Sequence, residues 1–349
     1  MSSNGIDVTF LDDGGQQPSD VLDRLVAFIA AATSTLDLAV YDAHLSDANG
    51  DRLIAALDAA EARGVRVRAV YNDESRGAAA VPPTTGPSSL ARLAAAIPST
   101  AIPGEPDLMH HKYIVRDATD VWTGSTNWTD DAWSHMENVI VTVASADLAA
   151  AFTSDFDELW NGKRVETSGT VIDQPAVIGD ARVRALFSPG RGRQLGLTIA
   201  TAIARATERV RICSPVLTSG PILSTLAELL DEKRCPVTVT VDGPQMEHAL
   251  KQWAADGRAR WKGPLFERVR SAGVLAEKAS RPWEAGPPHN YMHAKIVVAD
   301  DIVFTGSYNC SHSGERNAEN VLEIRDAALA DRFVAYCDSV HSKYAQPTP

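Results

Sequence analysis

One constellation of polar residues occurs twice in this chain, and that duplication constrains the fold more than any other feature. The first copy reads His110, Lys112, Asp117, Gly124, Ser125, Asn127; the second reads His293, Lys295, Asp300, Gly306, Ser307, Asn309. Spacing is nearly conserved, as His-x-Lys-x4-Asp-x6-Gly-Ser-x-Asn and His-x-Lys-x4-Asp-x5-Gly-Ser-x-Asn. In each copy a glutamate, Glu137 or Glu319, follows the asparagine by ten residues and precedes Asn-Val. The two histidines are 183 positions apart in a chain of 349. A repeat of half the chain is too long for a solenoid unit. It implies a duplicated domain whose copies face each other about a pseudo-twofold axis.

The pattern around each copy supports this. Ile6–Leu11 alternates like a strand, residues 19–32 carry Val21, Leu22, Leu25, Val26 and Ile29 on one helical face, and Leu36–Tyr41 is a continuous apolar run. A helix over 51–63, ended by Gly64, and a strand over 65–71 follow. Such β-α-β-α-β alternation predicts a layered α/β architecture. Residues 183–241 replay it, and helices over 148–160 and 327–344 close the two copies. The expected fold is α/β: two similar α/β/α sandwich halves with mixed sheets, related by a pseudo-twofold axis, with the active site at their interface. The expected halves are residues 1–165 and 180–349, joined across a weakly patterned segment at 163–179.

In an extended strand residues i and i+2 share a face. His110 and Lys112 therefore project together, as do His293 and Lys295, while His111 and Ala294 point away. The following runs Tyr113-Ile114-Val115 and Ile296-Val297-Val298 are apolar, so these strands are buried. A buried lysine without a counter-charge is costly, and two of them call for an anion such as phosphate. Gly124 and Gly306 allow close backbone approach, and Ser125, Asn127, Ser307 and Asn309 add neutral donors. One copy supplies one histidine, whereas covalent cleavage of a phosphodiester needs a nucleophile and a proton donor for the leaving alcohol. Two facing copies supply both. Glu137 and Glu319 are expected to hold the second ring nitrogen of a histidine. No Asp, His or Cys cluster has metal-ligand spacing, so the expected chemistry uses no metal and no cofactor.

The doubled His-x-Lys-x4-Asp and Gly-Ser-x-Asn motifs resemble the phospholipase D superfamily, and the flanking pattern extends the likeness over essentially the whole chain. The resemblance implies a phosphohistidine resolved by water or by an alcohol. It suggests His110 as nucleophile and His293 as general acid, with the reverse left open, and Asp117 and Asp300 as structural residues. The longer Asp-to-Gly spacing in the first copy implies a turn one residue longer.

Composition narrows the substrate less. The net charge of −12 argues mildly against broad nucleic-acid binding. The favoured substrate is a phospholipid, cleaved or transphosphatidylated; a nuclease or other soluble phosphodiesterase and a phosphatidyltransferase of the cardiolipin-synthase type are the alternatives. Peripheral membrane contact fits the first reading. The longest apolar run, residues 25–32, is too short to span a bilayer. No oligomer is required to complete the site. Met1–Asp13 shows no secretory pattern, so a cytoplasmic location is expected, or a secreted one if a leader has been removed. Cys213, Cys235, Cys310 and Cys337 are expected to be free thiols. His111 and His135 are expected to be structural or exposed, and Trp128 and Tyr308 to pack rather than stack on a substrate. The loops 77–89 and 281–288 are rich in Gly and Pro and are equally consistent with a substrate-selecting rim and plain connection.

Overall fold

Alternation of short apolar runs with amphipathic segments builds two mixed sheets, one from each half. The computed structural model describes residues 5–73, 89–172, 174–281 and 288–345. Most of both expected rim loops, residues 77–88 and 282–287, lies outside the described residues.

The first sheet has seven strands, in the spatial order Ile6–Leu11, Asn138–Ala144, Asp120–Gly124, Lys112–Arg116, Thr35–Val40, Arg66–Asp73, Ser99–Pro103. The second has eight. An edge strand, Ala176–Ile178, precedes Ala181–Ser188, Glu319–Arg325, Ile302–Gly306, Ile296–Ala299, Val210–Cys213, Val237–Asp242 and Leu275–Lys278. Without that edge strand the two orders are identical, and so are the senses. The last three strands of each sheet run parallel and the remaining pairs antiparallel. The duplication read from the motifs is thus a duplication of sheet topology.

Several strands depart from the sequence reading, among them the short pair Ala43–His44 and Trp128–Thr129, which forms a small sheet of its own. Ser99–Pro103 and Leu275–Lys278 are short edges whose composition does not announce them. Ala176–Ile178 forms a hairpin with Ala181–Ser188 inside the segment expected to be a bare connection. The first-copy hairpin turns through three residues between Arg116 and Asp120, the second through two between Ala299 and Ile302. Asp117 and Ala118 take positive φ in the longer turn, and Asp300 alone in the shorter.

Helices Pro18–Ala30 and Asp47–Ala62 pack on the outer face of the first sheet, and Gly192–Arg205 and Gly220–Glu232 on that of the second, each over its own apolar cluster. Helices Ala146–Gly162 and Ala327–Tyr344 lie between the sheets. Strand periodicity divides the side chains accordingly. Tyr113 and Val115 face the shared central cluster while Ile114 faces the outer one; Ile296 and Val298 face the centre while Val297 faces outward. Phe152 of the first half meets Phe187 of the second edge-on at 5.1 Å, and Phe10 stacks on Tyr336 at 4.4 Å. Each buried ring contributes about 1.5–3 kcal/mol. The halves therefore share one core, and the relative position of their two motifs is fixed by it.

Candidate active site

Each His-x-Lys segment leaves its own sheet and pairs with the other half. Regular strand begins only at Lys112 and Ile296. Just before, Met109 forms a parallel bridge to Ala318, and Met292 one to Glu137. The His110 N–H donates to the Ala318 carbonyl at 2.9 Å, and the His293 N–H to the Glu137 carbonyl at 3.2 Å. These two crossings bring the motifs together at the junction of the sheets. Lys112 and Lys295 are buried, and each ammonium donates to its own histidine's carbonyl, at 2.6 and 2.8 Å.

Behind the imidazoles the two halves differ. His110 Nδ1 lies 2.8 Å from Oε2 of the fully buried Glu319. His293 Nδ1 lies 3.0 Å from Oδ1 of Asn138, also fully buried. Glu137, expected to hold a histidine ring nitrogen, does not. Its carboxylate takes Lys278 Nζ at 2.7 Å, Lys343 Nζ at 3.3 Å and the Tyr344 hydroxyl. Lys278 also reaches Asp13 at 3.1 Å, so this buried cluster ties the halves together beside the site.

Strand register keeps Glu137 from His293. Ser125 Oγ accepts from the Val139 N–H, 14 residues on; Ser307 Oγ accepts from the Asn320 N–H, 13 residues on. The first-copy loop is one residue longer. Val139 therefore occupies the place of Asn320, and Asn138 the place of Glu319. Gly124 and Gly306 agree: a Cβ there would lie 2.1 Å from the Val139 carbonyl oxygen and 2.2 Å from that of Asn320. A one-residue slip turns a strand side chain to the opposite face, which carries Glu137 away from His293.

The serine hydroxyls, read in the sequence as phosphate donors, are spent elsewhere. Ser125 Oγ donates to Asn138 Oδ1 at 2.7 Å, and Ser307 hydrogen-bonds Glu319. Asn127 and Asn309 remain uncommitted: in both, the buried Oδ1 has no hydrogen-bond partner among the described residues. Amide oxygen and nitrogen are interchangeable by rotation, so both side chains are free to present Nδ2 to an anion. Asp117 and Asp300 sit at the far ends of their strands. Asp117 accepts from the N–H groups of Thr33, Ser34 and Thr35, and Asp300 from those of Thr207, Glu208 and Arg209. Both carboxyls are held below the ordinary range; burial pushes them up, but the three backbone donors outweigh it.

Electrostatics show how closely the groups converge. Burial lowers His110 to about 4, with Lys112 and Lys295 adding to the fall and Glu319 opposing it. Burial likewise lowers Lys112 to about 7, opposed by Glu319 and Asp42. His293 and Lys295 are driven well below their ordinary values by burial and by Lys112; His110 also bears on His293. Glu319 is pushed up by burial, yet His110, Lys112 and Ser307 bring it below its ordinary value. Two histidines and two lysines thus crowd one desolvated pocket with one carboxylate. An oxyanion entering it would favour the charged forms of both histidines and both lysines.

Two residues of the site have no counterpart in the sequence reading. The Tyr41 ring meets the His110 ring edge-on at 4.5 Å and lies 4.6 Å from Lys112 Nζ. Asp42, which bears on Lys112, pairs with His44 Nδ1 at 2.5 Å. Both follow the apolar strand Thr35–Val40, and their position directly after it was the available signal. His111 is fully buried, 3.1 Å from Asp155 and 3.3 Å from Asn320 Oδ1, whereas His135 approaches Asp13 at the surface. Trp128 and Tyr308 are buried in the outer clusters. All four cysteines are free. Among the described residues no group of three His, Cys, Asp or Glu side chains could hold a metal ion, and no helix is long and apolar enough to cross a membrane.

Comparison with known proteins finds likenesses in both halves of the chain. The sequence model of the family described as "Cardiolipin synthase, PLD-like domain" matches residues 25–160 and 199–340. The mitochondrial cardiolipin hydrolase of Xenopus laevis is 31% identical over 138 residues, 39% of this chain and 60% of that protein. The human mitochondrial cardiolipin hydrolase is 29% identical over 140 residues, 40% of this chain and 50% of that protein. The chain thus spans about half to three fifths of the length of these curated relatives. Phosphatidylserine synthase from Haemophilus influenzae superposes with a TM-score of 0.70 at 15% identity, over 96% of this chain and 86% of that one. Polyphosphate kinase from Porphyromonas gingivalis gives 0.57 at 12% identity, over 95% of this chain and 50% of that one. These two likenesses show a shared fold.

Proposed function

The chain belongs to the phospholipase D superfamily, through the cardiolipin synthase, PLD-like family whose model covers most of it, and from that membership we infer that it is a phosphodiesterase working through a phosphohistidine on a phospholipid. The observation that carries this reading is the unequal backing of two imidazoles in one cationic pocket. Glu319 accepts from the Nδ1–H of His110, which leaves Nε2 as the attacking atom. Attack on phosphorus yields a phosphoryl-imidazolium that keeps its Nδ1 proton and its positive charge. A carboxylate stabilises that cation and an amide does not, so His110 is the nucleophile.

Asn138 suits His293 to the other task. Its Nδ2 donates to the Ala132 carbonyl at 3.0 Å and its Oδ1 faces the ring. The ring therefore carries a proton on Nδ1, and Nε2 exchanges protons with substrate. With no carboxylate behind it, the His293 imidazolium gives up its proton readily. In the first half-reaction the Nε2 proton passes to the departing alkoxide as the phosphorus–oxygen bond breaks. In the second, neutral His293 removes a proton from water or an acceptor alcohol, whose oxygen attacks phosphorus and frees His110. Lys112, Lys295, Asn127 and Asn309 hold the non-bridging oxygens and stabilise their charge in both transition states.

The lipid preference draws on the family description and on the names of the cardiolipin hydrolases. Water as acceptor gives hydrolysis, and an alcohol gives transphosphatidylation by the same steps. The test is a substrate panel in EDTA: phosphatidylcholine, phosphatidylglycerol, cardiolipin, single- and double-stranded DNA, and bis-p-nitrophenyl phosphate, each with and without added alcohol. Release of a lipid head group, with head-group exchange when alcohol is present, is expected. Cleavage of DNA with no lipid turnover would contradict the reading.

A further inference from the structure

Charge is divided between the halves. Residues 1–179 carry 26 acidic and 11 basic side chains, whereas residues 180–349 carry 19 and 22. The acidity of the chain therefore belongs to the first half. On the second half, the segment Gly257-Arg258-Ala259-Arg260-Trp261-Lys262 gathers three basic side chains around one tryptophan. Trp261 is 51% exposed, the one aromatic among the exposed large apolar side chains of the described residues. It is held in place: a Cβ on Gly220 would meet its ring at 3.1 Å, and Lys262 Nζ lies 5.8 Å from its centroid and 5.7 Å from that of Trp253.

This segment connects to the catalytic loop through Thr218. Lys262 Nζ donates to the Thr218 carbonyl at 2.8 Å. The N–H groups of Thr218 and Ser219 both donate to the carbonyl of Cys310, the residue after Asn309. Farther along that loop Glu315 takes the Ser219 hydroxyl at 3.0 Å and packs against Gly192, which Arg191 and Arg193 flank in sequence. Arg193, Arg258 and Arg260 are exposed, and none of them pairs with a carboxylate among the described residues. Asp256 is the nearby acid, its Oδ1 occupied by the Arg258 N–H.

We propose that this face, Trp261 with Arg258, Arg260 and Arg193, is an interfacial docking surface that seats the second-half margin of the site on an anionic phospholipid bilayer. A fixed, half-exposed tryptophan belongs at the boundary between head groups and acyl chains. Arginines around it that lack a carboxylate partner, Arg260 donating only to the Ala254 carbonyl at 3.1 Å, favour an anionic leaflet, while the acidic first half is repelled and stays in solvent. The orientation presents the pocket to head-group phosphates. The inference rests on the phospholipid reading above, but its test does not need turnover.

Co-sedimentation of the full chain with phosphatidylcholine–phosphatidylglycerol vesicles, against pure phosphatidylcholine vesicles, is the measurement. Wild type is expected to partition to the anionic vesicles and to be released by salt. Reversing two charges in R258E/R260E should weaken partitioning by at least ~20-fold, and W261A by roughly fivefold. Turnover of bis-p-nitrophenyl phosphate should stay at the wild-type level in both variants, which also reports that they fold. Wild-type partitioning by R258E/R260E, or preference of wild type for a single-stranded oligonucleotide over anionic vesicles, would overturn the proposal. Vesicle binding lost in the variants while wild type cleaves no lipid would uphold this face and count against the catalytic reading alone.

Discussion

The two halves present the same side chains to the pocket and differ in what stands behind each imidazole. In one crossing a carboxylate, Glu319, backs His110; in the other an amide, Asn138, backs His293. Both partners are buried and both take a serine hydroxyl from the same Gly-Ser element. Geometry is thus conserved across the pseudo-twofold axis while charge is not. Under the proposed mechanism this single difference is what separates the two histidines: the carboxylate would stabilise a cation, and the amide would only aim a ring.

The largest expected effects break the comparison at the histidines themselves. With a lipid substrate, H110A and H293A should each lose at least ~10³-fold in turnover. With bis-p-nitrophenyl phosphate the two should separate, because nitrophenolate leaves without a proton. A rapid-quench assay should then show a stoichiometric nitrophenol burst from H293A and none from H110A. A burst from both variants would dissolve the asymmetry.

The partners come next. E319Q should lose roughly 10²–10⁴-fold in kcat, since it removes the charge that the phosphoryl-imidazolium requires. N138A should lose only about tenfold, the value of one orienting hydrogen bond, and the ratio of the two losses measures the comparison directly. N138D sharpens it further. A carboxylate beside His293 favours its charged form and raises its pKa, so the alkaline limb of the kcat–pH profile should move upward. The acid limb of kcat/KM, set by His110 near 4, should stay in place.

Smaller effects separate chemistry from support. E137Q should lower stability by about 2–4 kcal/mol in denaturant titration, because Lys278 is left buried with less compensation, while kcat barely changes. If kcat fell as far as in E319Q, Glu137 would be acting on a histidine after all. D117N should lower Tm modestly and flatten its acid dependence. The Asp117 carboxyl is held below its ordinary value, so its contribution is present above that value and is lost as pH falls through the lowered one. Thermal melts between neutral and acid pH read this.

Much of the molecule was legible from residue order. The doubled motif foretold two similar halves with mixed sheets, and the apolar runs after each lysine foretold buried strands. Asp117 and Asp300, structural by the resemblance, each accept three backbone N–H groups. The partner of His293 was hidden because the two glutamates align perfectly by counting from the asparagine. The extra residue lies between Asn127 and Asn138, in a loop whose length carries no visible marker, and it moves Asn138 into the carboxylate's place. Nor does any local pattern tell that Lys278 and Tyr344 converge on Glu137 from 141 and 207 positions away. Such contacts follow from how the sheets dock, not from periodicity.

The central claim is that the carboxylate-backed half supplies the nucleophile. Acid-free quenching of the wild-type protein during turnover of bis-p-nitrophenyl phosphate, followed by peptide mass mapping, locates the covalent phosphoryl group. The adduct is expected on His110. An adduct on His293 would contradict it.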